Sequence, residues 1–204
     1  MGRAIGNLSV SLDGFAAGPN DGPGNPLGDG GERLFEWYHG GDTPLPLPGT
    51  DMVFSVSRES AELLREQWGK IGAMVAGRRM FDIANAWHGH PPGGGPCFIV
   101  THDAPSEWTG EGSPFAFVTD GVESAIRRAK EAAGGKSVAV GSASIIRQCL
   151  AEGLLDEIHL DLAPVLLGGG VRLFDGLDNA PIALERTGAV EAPGVTHLQF
   201  RVRR

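Results

Sequence analysis

The sequence is short of cysteine, of positive charge and of long apolar runs. Its two cysteines, Cys97 and Cys149, lie in apolar stretches and form no CxxC pair. That excludes a disulfide framework and a structural zinc site, and it points to two reduced core thiols. Lys and Arg number 17 against 25 Asp and Glu, a net charge of −8. Clustered cations hold nucleic-acid phosphates, so this balance argues against a nucleic-acid partner. The densest basic group, Arg201, Arg203 and Arg204, reads as a solvated tail. No segment approaches the ~18 uninterrupted apolar residues of a membrane span, and no signal-peptide run opens the chain. The expectation is a soluble cytoplasmic protein with no membrane partner. Also missing are GxGxxG, a Walker A lysine and the His-x-Glu with Pro-Cys-x-x-Cys pattern of zinc deaminases.

What is present suffices for one packed domain: 204 residues, 41% hydrophobic and 21% charged. Glycine (32) and proline (14) are abundant and uneven. They concentrate in 13–49, including Gly18-Pro19-Asn20-Asp21-Gly22-Pro23-Gly24-Asn25-Pro26, and again in Pro91-Pro92-Gly93-Gly94-Gly95-Pro96. Such stretches cannot hold a helix and read as long surface loops. The first is a Gly/Pro-rich insertion at about 18–50 within a single 1–204 domain.

The rest alternates. Strands are expected at 3–10, 73–76, 97–101, 115–118 and 137–140. Helices are expected at 57–68, capped by Ser57, at 80–87, at 122–133, capped by Asp120, and at 144–151. After residue 157 the pattern changes to strands at 157–164, 182–190 and 196–202, the last two an antiparallel hairpin with no helix between them. This order predicts an α/β three-layer sandwich, its central sheet mostly parallel with antiparallel C-terminal strands.

Ligands of such sheets bind where strands end and helices begin. Three turns fit. Gly77-Arg78-Arg79 offers close backbone approach, free amides and two guanidiniums, a set suited to phosphate. Thr101-His102 offers a hydroxyl and an imidazole. Gly141-Ser142-Ala143-Ser144 runs straight into a helix. Each alone also reads as an ordinary turn. Trp87-His88-Gly89-His90 carries a His-x-His without a third ligand, so no metal is expected. Phe35, Trp37 and Tyr38 either line a pocket or anchor the insertion.

Together these motifs resemble a known family. Ser9-Val10-Ser11-Leu12-Asp13-Gly14-Phe15-Ala16 resembles the opening of the reductase domain of bacterial riboflavin biosynthesis proteins and of their dihydrofolate-reductase-like relatives. Gly77-Arg78-Arg79-Met80-Phe81 resembles the turn that holds the cofactor phosphate there. Val140-Gly141-Ser142-Ala143-Ser144 stands at the family's paired-glycine turn. Gly153-Leu154-Leu155-Asp156-Glu157-Ile158, then Ala163-Pro164-Val165-Leu166-Leu167-Gly168-Gly169-Gly170 and Leu173-Phe174, resemble its closing signature. The likeness runs from about 5 to about 202. It implies a dihydrofolate-reductase-like fold, NADPH as hydride donor and a homodimer.

By position, the resemblance sets Gly77, Arg78 and Arg79 at the adenosine 2′-phosphate and pyrophosphate, and Thr101 and His102 by the ribose phosphate. Gly141, Ser142, Ala143, Ser144 and Ile145 fall around the pyrophosphate and nicotinamide, with Ala16 and Ala17 at the nicotinamide edge. Two departures stand out: Ser142 replaces a glycine, and Phe15 stands where the riboflavin enzymes often have lysine. The pterin-binding acid of dihydrofolate reductases falls near Ala61, flanked by Glu59 and Glu62. Glu62, Trp87 and Leu167 are the substrate-side candidates. Asp13 is the candidate catalytic group, as proton relay or loop orienter. The implied function is NADPH-dependent reduction of a small pterin- or pyrimidine-like heterocycle, the alternative being a nucleotide- or pterin-binding protein without turnover.

Overall fold

A computed structural model describes residues 2–178 and 180–203. The chain opens with β1 (Ala4–Ser11) and the short β2 (Phe15–Ala17). A 3-10 helix at Gly31–His39 leads to the hairpin β3 (Thr43–Pro46) and β4 (Val53–Val56). There follow α1 (Arg58–Gly69), β5 (Ile71–Gly77), α2 (Arg78–Ile83), β6 (Cys97–Val100), β7 (Phe115–Val118) and α3 (Val122–Ala132). The last part holds β8 (Ser137–Val140), α4 (Ala143–Ala151), β9 (Glu157–Ala163), β10 (Val171–Arg172), β11 (Leu184–Ala192) and β12 (Val195–Val202).

Eight strands form one sheet in the order β11-β12-β9-β1-β8-β5-β6-β7. Every pair from β9 to β7 is parallel; β12 runs antiparallel to β9, and β11 to β12. This is the mixed sheet expected from helix-linked strands followed by a hairpin.

Strand alternation gives the sheet two unlike faces. Ala4, Val10, Val138, Val140 and Ile158 face α3 and α4, joining Ile126, Ala129, Ile146 and Cys149 in the main core. The opposite face is covered by α1 and the 31–56 segment, through Trp37, Leu45, Val56, Ala61, Leu64 and Val195. Ser57 caps α1 by accepting from the Ser60 amide at 3.2 Å. No helix is long and apolar enough to cross a membrane, among the described residues.

Three local expectations change. The insertion is not loop throughout: Leu34, Trp37 and Leu45 are buried, and Trp37 Nε1 donates to the Leu34 carbonyl at 3.0 Å. Three apolar anchors order a segment whose composition alone reads as coil. The helix expected to reach 87 stops at Ile83, because Asn85, Ala86, Trp87 and His88 turn left-handed, with φ of 45–52°. Phe81 and Trp87 pack on Phe115 instead. The N-cap of α3 is Gly121, at φ 99°, and the Asp120 carboxylate accepts from Arg128.

Candidate active site

Because the central strands are parallel, the carboxyl ends of β1, β5, β6 and β8 open on one edge. There the tips of β5 and β8 interlock. The Gly77 amide donates to Ser142 Oγ at 2.9 Å. Ser142 holds φ 76° and ψ 129°, a region nearly reserved for glycine, at a cost of about 1–3 kcal/mol. Its hydroxyl bond to Gly77 offsets part of that strain. A Cβ on Gly141 would come within 3.1 Å of Met74 Cε and 3.2 Å of Met80 Sδ. Position 141 is thus closely packed against two methionine side chains, while 142 carries a side chain that braces the neighbouring strand.

Two helices start at these tips, and neither serves its own amides. Both α2 and α4 lack a side-chain cap and any acid in the first turn. By contrast, α1 has the Ser57 cap and Glu59. The first-turn amides of α4, from Ala143, Ser144 and Ile145, thus keep their donor capacity and the positive end of the helix dipole. Arg78 lies beside them, its Nε on Asp82 at 2.8 Å and its Nη1 on the Asp103 carbonyl at 2.6 Å. Thr101 Oγ1 donates to the same carbonyl at 2.8 Å and accepts from the Asp103 amide, so this hydroxyl shapes the turn beyond β6. His102 is exposed next to it. Arg79 is engaged three times by Asp21 of the insertion, at 2.6, 2.8 and 3.1 Å. The carboxylate raises the guanidinium's pKa further. The insertion is thereby tied across the groove.

Asp13 sits at the end of β1 as a clasp. It accepts from Ser11 Oγ at 2.6 Å and from the Leu167 and Gly168 amides at 3.1 and 2.7 Å. Led by the Ser11 hydroxyl, these bonds lower its carboxyl to about 2. At neutral pH it holds no proton to relay, and its bonds orient the loops that carry Ala16, Ala17 and Leu167. A folded-state pKa below the unfolded value of 3.8 contributes stability above pH 3.8 that is lost as pH falls toward 2. Asp13→Asn should flatten the acid limb of thermal stability in that window; an unchanged limb would remove Asp13 from this role.

Beside the strand tips runs a cleft of about 920 Å³, between the sheet and α1 with the insertion. Met74, Met80, Val140 and Gly141 line its end at the tips, and Leu27, Phe35, Tyr38 and Phe54 cover it. Burial, with the Asp161 charge adding, pushes the Tyr38 phenol well above its usual range, so it remains a donor. Of the candidate aromatics, Phe35 and Tyr38 line the cleft, while Trp37 anchors the insertion. On α1 the cleft residues are Leu63, Glu66, Gln67 and Trp68; Glu62 is exposed and outside it. It stands one turn before Glu66 on nearly the same side of the helix, so its place along the axis sets it beyond the cleft. Trp87 belongs to the aromatic cluster of Phe81 and Phe115 and lies outside the lining too. One part of the floor is polar, with Asn7 from β1, Glu157 and His159 from β9 and Gln199 from β12, beside apolar Ile5, Ile71 and Ala139. The polar odd positions of 7–11, 157–161 and 197–201 were the available sequence signal for it.

A mixed eight-stranded sheet with a ligand edge at its strand tips and a cleft beneath the first helix is the dihydrofolate-reductase-like fold. Dihydrofolate reductase from Enterococcus faecalis, solved with NADP(H) and RAB-propyl, superimposes with a TM-score of 0.55 over 99% of this chain and 97% of its own, at 11% identity. The chain belongs to the RibD C-terminal domain family, whose sequence model matches residues 4–197. A putative riboflavin biosynthesis protein from Shewanella sp. PV-4 superimposes at a TM-score of 0.70, with 21% identity and 99% of both chains covered. The deaminase/5-amino-6-(5-phosphoribosylamino)uracil reductase of Thermotoga maritima does so at 0.61, with 11% identity, over 99% of this chain and 57% of that longer one. No match was found among curated proteins. The family and fold make this a reductase scaffold.

Proposed function

We propose that the protein is an NADPH-dependent reductase that delivers hydride to a C=N or C=O carbon of a small pterin- or pyrimidine-like heterocycle. One observation carries this reading: two uncapped, acid-free helix starts stand beside the end of a cleft that Met80 and Gly141 line. The residues present suit the cofactor. The α4 amides of Ala143, Ser144 and Ile145 take the pyrophosphate, and Arg78 takes the 2′-phosphate, joined by Arg79 once Asp21 releases it. Bound there, NADPH supplies a hydride from its nicotinamide. The chain positions the acceptor carbon near the Gly141 turn. Phe35, Tyr38 and Met80 keep water from it, and Asp13 holds the facing loops in place.

The setting of this reading is cytoplasmic, and both cysteines are buried and free, with burial pushing each thiol up to about 12 and so keeping it unreactive. A homodimer is expected to use the outer strand β11, where Leu184 is exposed. Titration with NADPH, followed by nicotinamide fluorescence, should show saturable binding. Oxidation should then follow for a member of a pterin, pyrimidine and carbonyl panel. No fluorescence change at millimolar NADPH would refute the proposal. Binding without oxidation would favour the nucleotide- or pterin-binding alternative, which the Ser142 hydroxyl on the Gly77 amide supports.

A further inference from the structure

Two arginines lack the carboxylate partner that most of the others have. Arg78, Arg79, Arg127 and Arg128 each bond an acid at 2.8 to 3.3 Å. Arg147, on α4, and Arg172, on β10, pair with none among the described residues, in a chain whose net charge is −8.

Backbone holds both side chains instead. Arg147 Nη1 donates to the Arg172 carbonyl at 2.6 Å. Arg172 Nη1 donates to the Asp13 carbonyl at 3.3 Å, and its guanidinium carbon lies 4.5 Å from the centre of the Phe15 ring. Phe15 is buried, so the ring fixes one face of the planar group. Carbonyls and a ring orient a guanidinium without neutralising it. Each therefore keeps its full charge and most of its N–H donors.

The two line one hollow of about 430 Å³ with Val171, Asp175 and Gly176. It lies apart from the coenzyme edge, for Gly77, Arg78, Thr101 and Gly141 line no part of it. Arg147 follows Ala143 by one turn of α4, away from the strand tips. Asp175 is exposed and bonds neither arginine among the described residues, which leaves the lining with a net positive charge. A phosphoryl group suits such a site. Its three terminal oxygens accept from two separate guanidinium forks at once, which the two oxygens of a carboxylate do less well.

The hollow also joins three elements. Arg147 ties α4 to β10, and Arg172 ties β10 to the turn before β2. Strand register adds Val171 beside Ala17 and Arg172 beside Phe15. An anion between the guanidiniums draws these links together.

We propose that Arg147 and Arg172 form a phosphate-binding site, separate from the coenzyme edge, whose occupancy braces β2. The ligand is a phosphate monoester or the free ion. Under the reductase reading Ala16 and Ala17 edge the nicotinamide, so a phosphate here acts on turnover as an effector; only that consequence rests on the reading. The test uses the full chain, titrated with inorganic phosphate, glycerol 3-phosphate and acetate, each with and without NADPH. Binding is read from the arginine Nε–H resonances by nitrogen-edited NMR, and the state of β2 from amide hydrogen exchange at 15–17.

The Arg147 and Arg172 resonances should shift saturably with both phosphates, NADPH present or not, and exchange at β2 should slow. Tighter binding of glycerol 3-phosphate marks an esterified ligand, and tighter binding of inorganic phosphate marks the free ion. Acetate should bind more weakly than either. Arg147→Gln or Arg172→Gln should weaken phosphate binding about tenfold, the scale of one charge-assisted hydrogen bond. Asp175→Asn, at an exposed position that leaves folding intact, should strengthen it roughly two- to fivefold, the range of an exposed ion pair. No saturation at tens of millimolar phosphate, acetate bound as tightly, or affinity unchanged in both arginine variants would each overturn the proposal. So would a loss of affinity in Asp175→Asn, displacement of phosphate by NADPH, or unaltered exchange at β2. Phosphate binding in a chain that ignores NADPH would refute the reductase and leave this site standing.

Discussion

Arg78→Ala combined with Arg79→Ala should lower NADPH affinity by about 10–100-fold, the worth of one charge-assisted phosphate contact, and leave NADH nearly untouched. The geometry makes this more than a count of charges. Arg78 is held by Asp82 and the Asp103 carbonyl, so its guanidinium is already placed at the turn after β5. Arg79 is occupied by Asp21, and a phosphate must displace that carboxylate. Asp21→Asn therefore has the opposite sign: it should strengthen NADPH binding roughly 1.5- to 5-fold, the range of an exposed ion pair. Competition between NADPH and NADH in a fluorescence titration reads both variants. If the double variant still tells the two coenzymes apart as the wild type does, the 2′-phosphate lies elsewhere.

The largest effect on stability should come from His197→Ala, a loss of about 3–5 kcal/mol. His197 Nδ1 is 2.7 Å from Asp161 Oδ1, and Nε2 is 2.9 Å from Ser60 Oγ. Exposures are 2% for His197, 4% for Asp161 and 1% for Ser60, so alanine would strip two buried groups of the imidazole that joins them. This Ser-His-Asp line resembles a hydrolase triad, but its hydroxyl is sealed inside the protein. Its effect is to hold α1, through Ser60, to β9 and β12. The alanine variant would also leave Trp37 without the imidazole edge it packs against, 5.1 Å between ring centres. Urea unfolding monitored by tryptophan fluorescence gives the number. A loss under about 1 kcal/mol would mean that the network contributes little beyond an ordinary side-chain hydrogen bond.

Much of the scaffold was legible because it follows local periodicity. The apolar strands at 73–76, 97–101 and 137–140 and the helix 57–68 with its Ser57 cap all stand near where alternation and capping chemistry set them. The final hairpin was equally plain, from two strands with no helix between them. The candidate cofactor turns were legible as Gly-containing junctions. What each side chain does there was not, because that depends on residues far away in sequence. Nothing near Arg79 announces Asp21, 58 positions earlier. Asp13 takes its amide partners from a loop more than 150 residues on. Glu62 and Glu66 share a face of α1, and periodicity alone does not say which turn of the helix meets the cleft. The insertion's order was hidden by composition, since Leu34, Trp37 and Leu45 are few but well placed. The polar floor escaped notice because its residues come from three strands that meet only after folding.

The unlike faces of the sheet have a consequence for how the molecule comes apart. Helices α3 and α4 are joined to the sheet by continuous apolar contact. Helix α1 is moored by a few apolar residues and one line of hydrogen bonds, with an open cleft along its flank. Its amides should trade hydrogen for deuterium well before those of α4, through an opening that swings the cleft wall outward without melting the sheet. The same looseness gives a planar guest a way in, and a reduced one a way out.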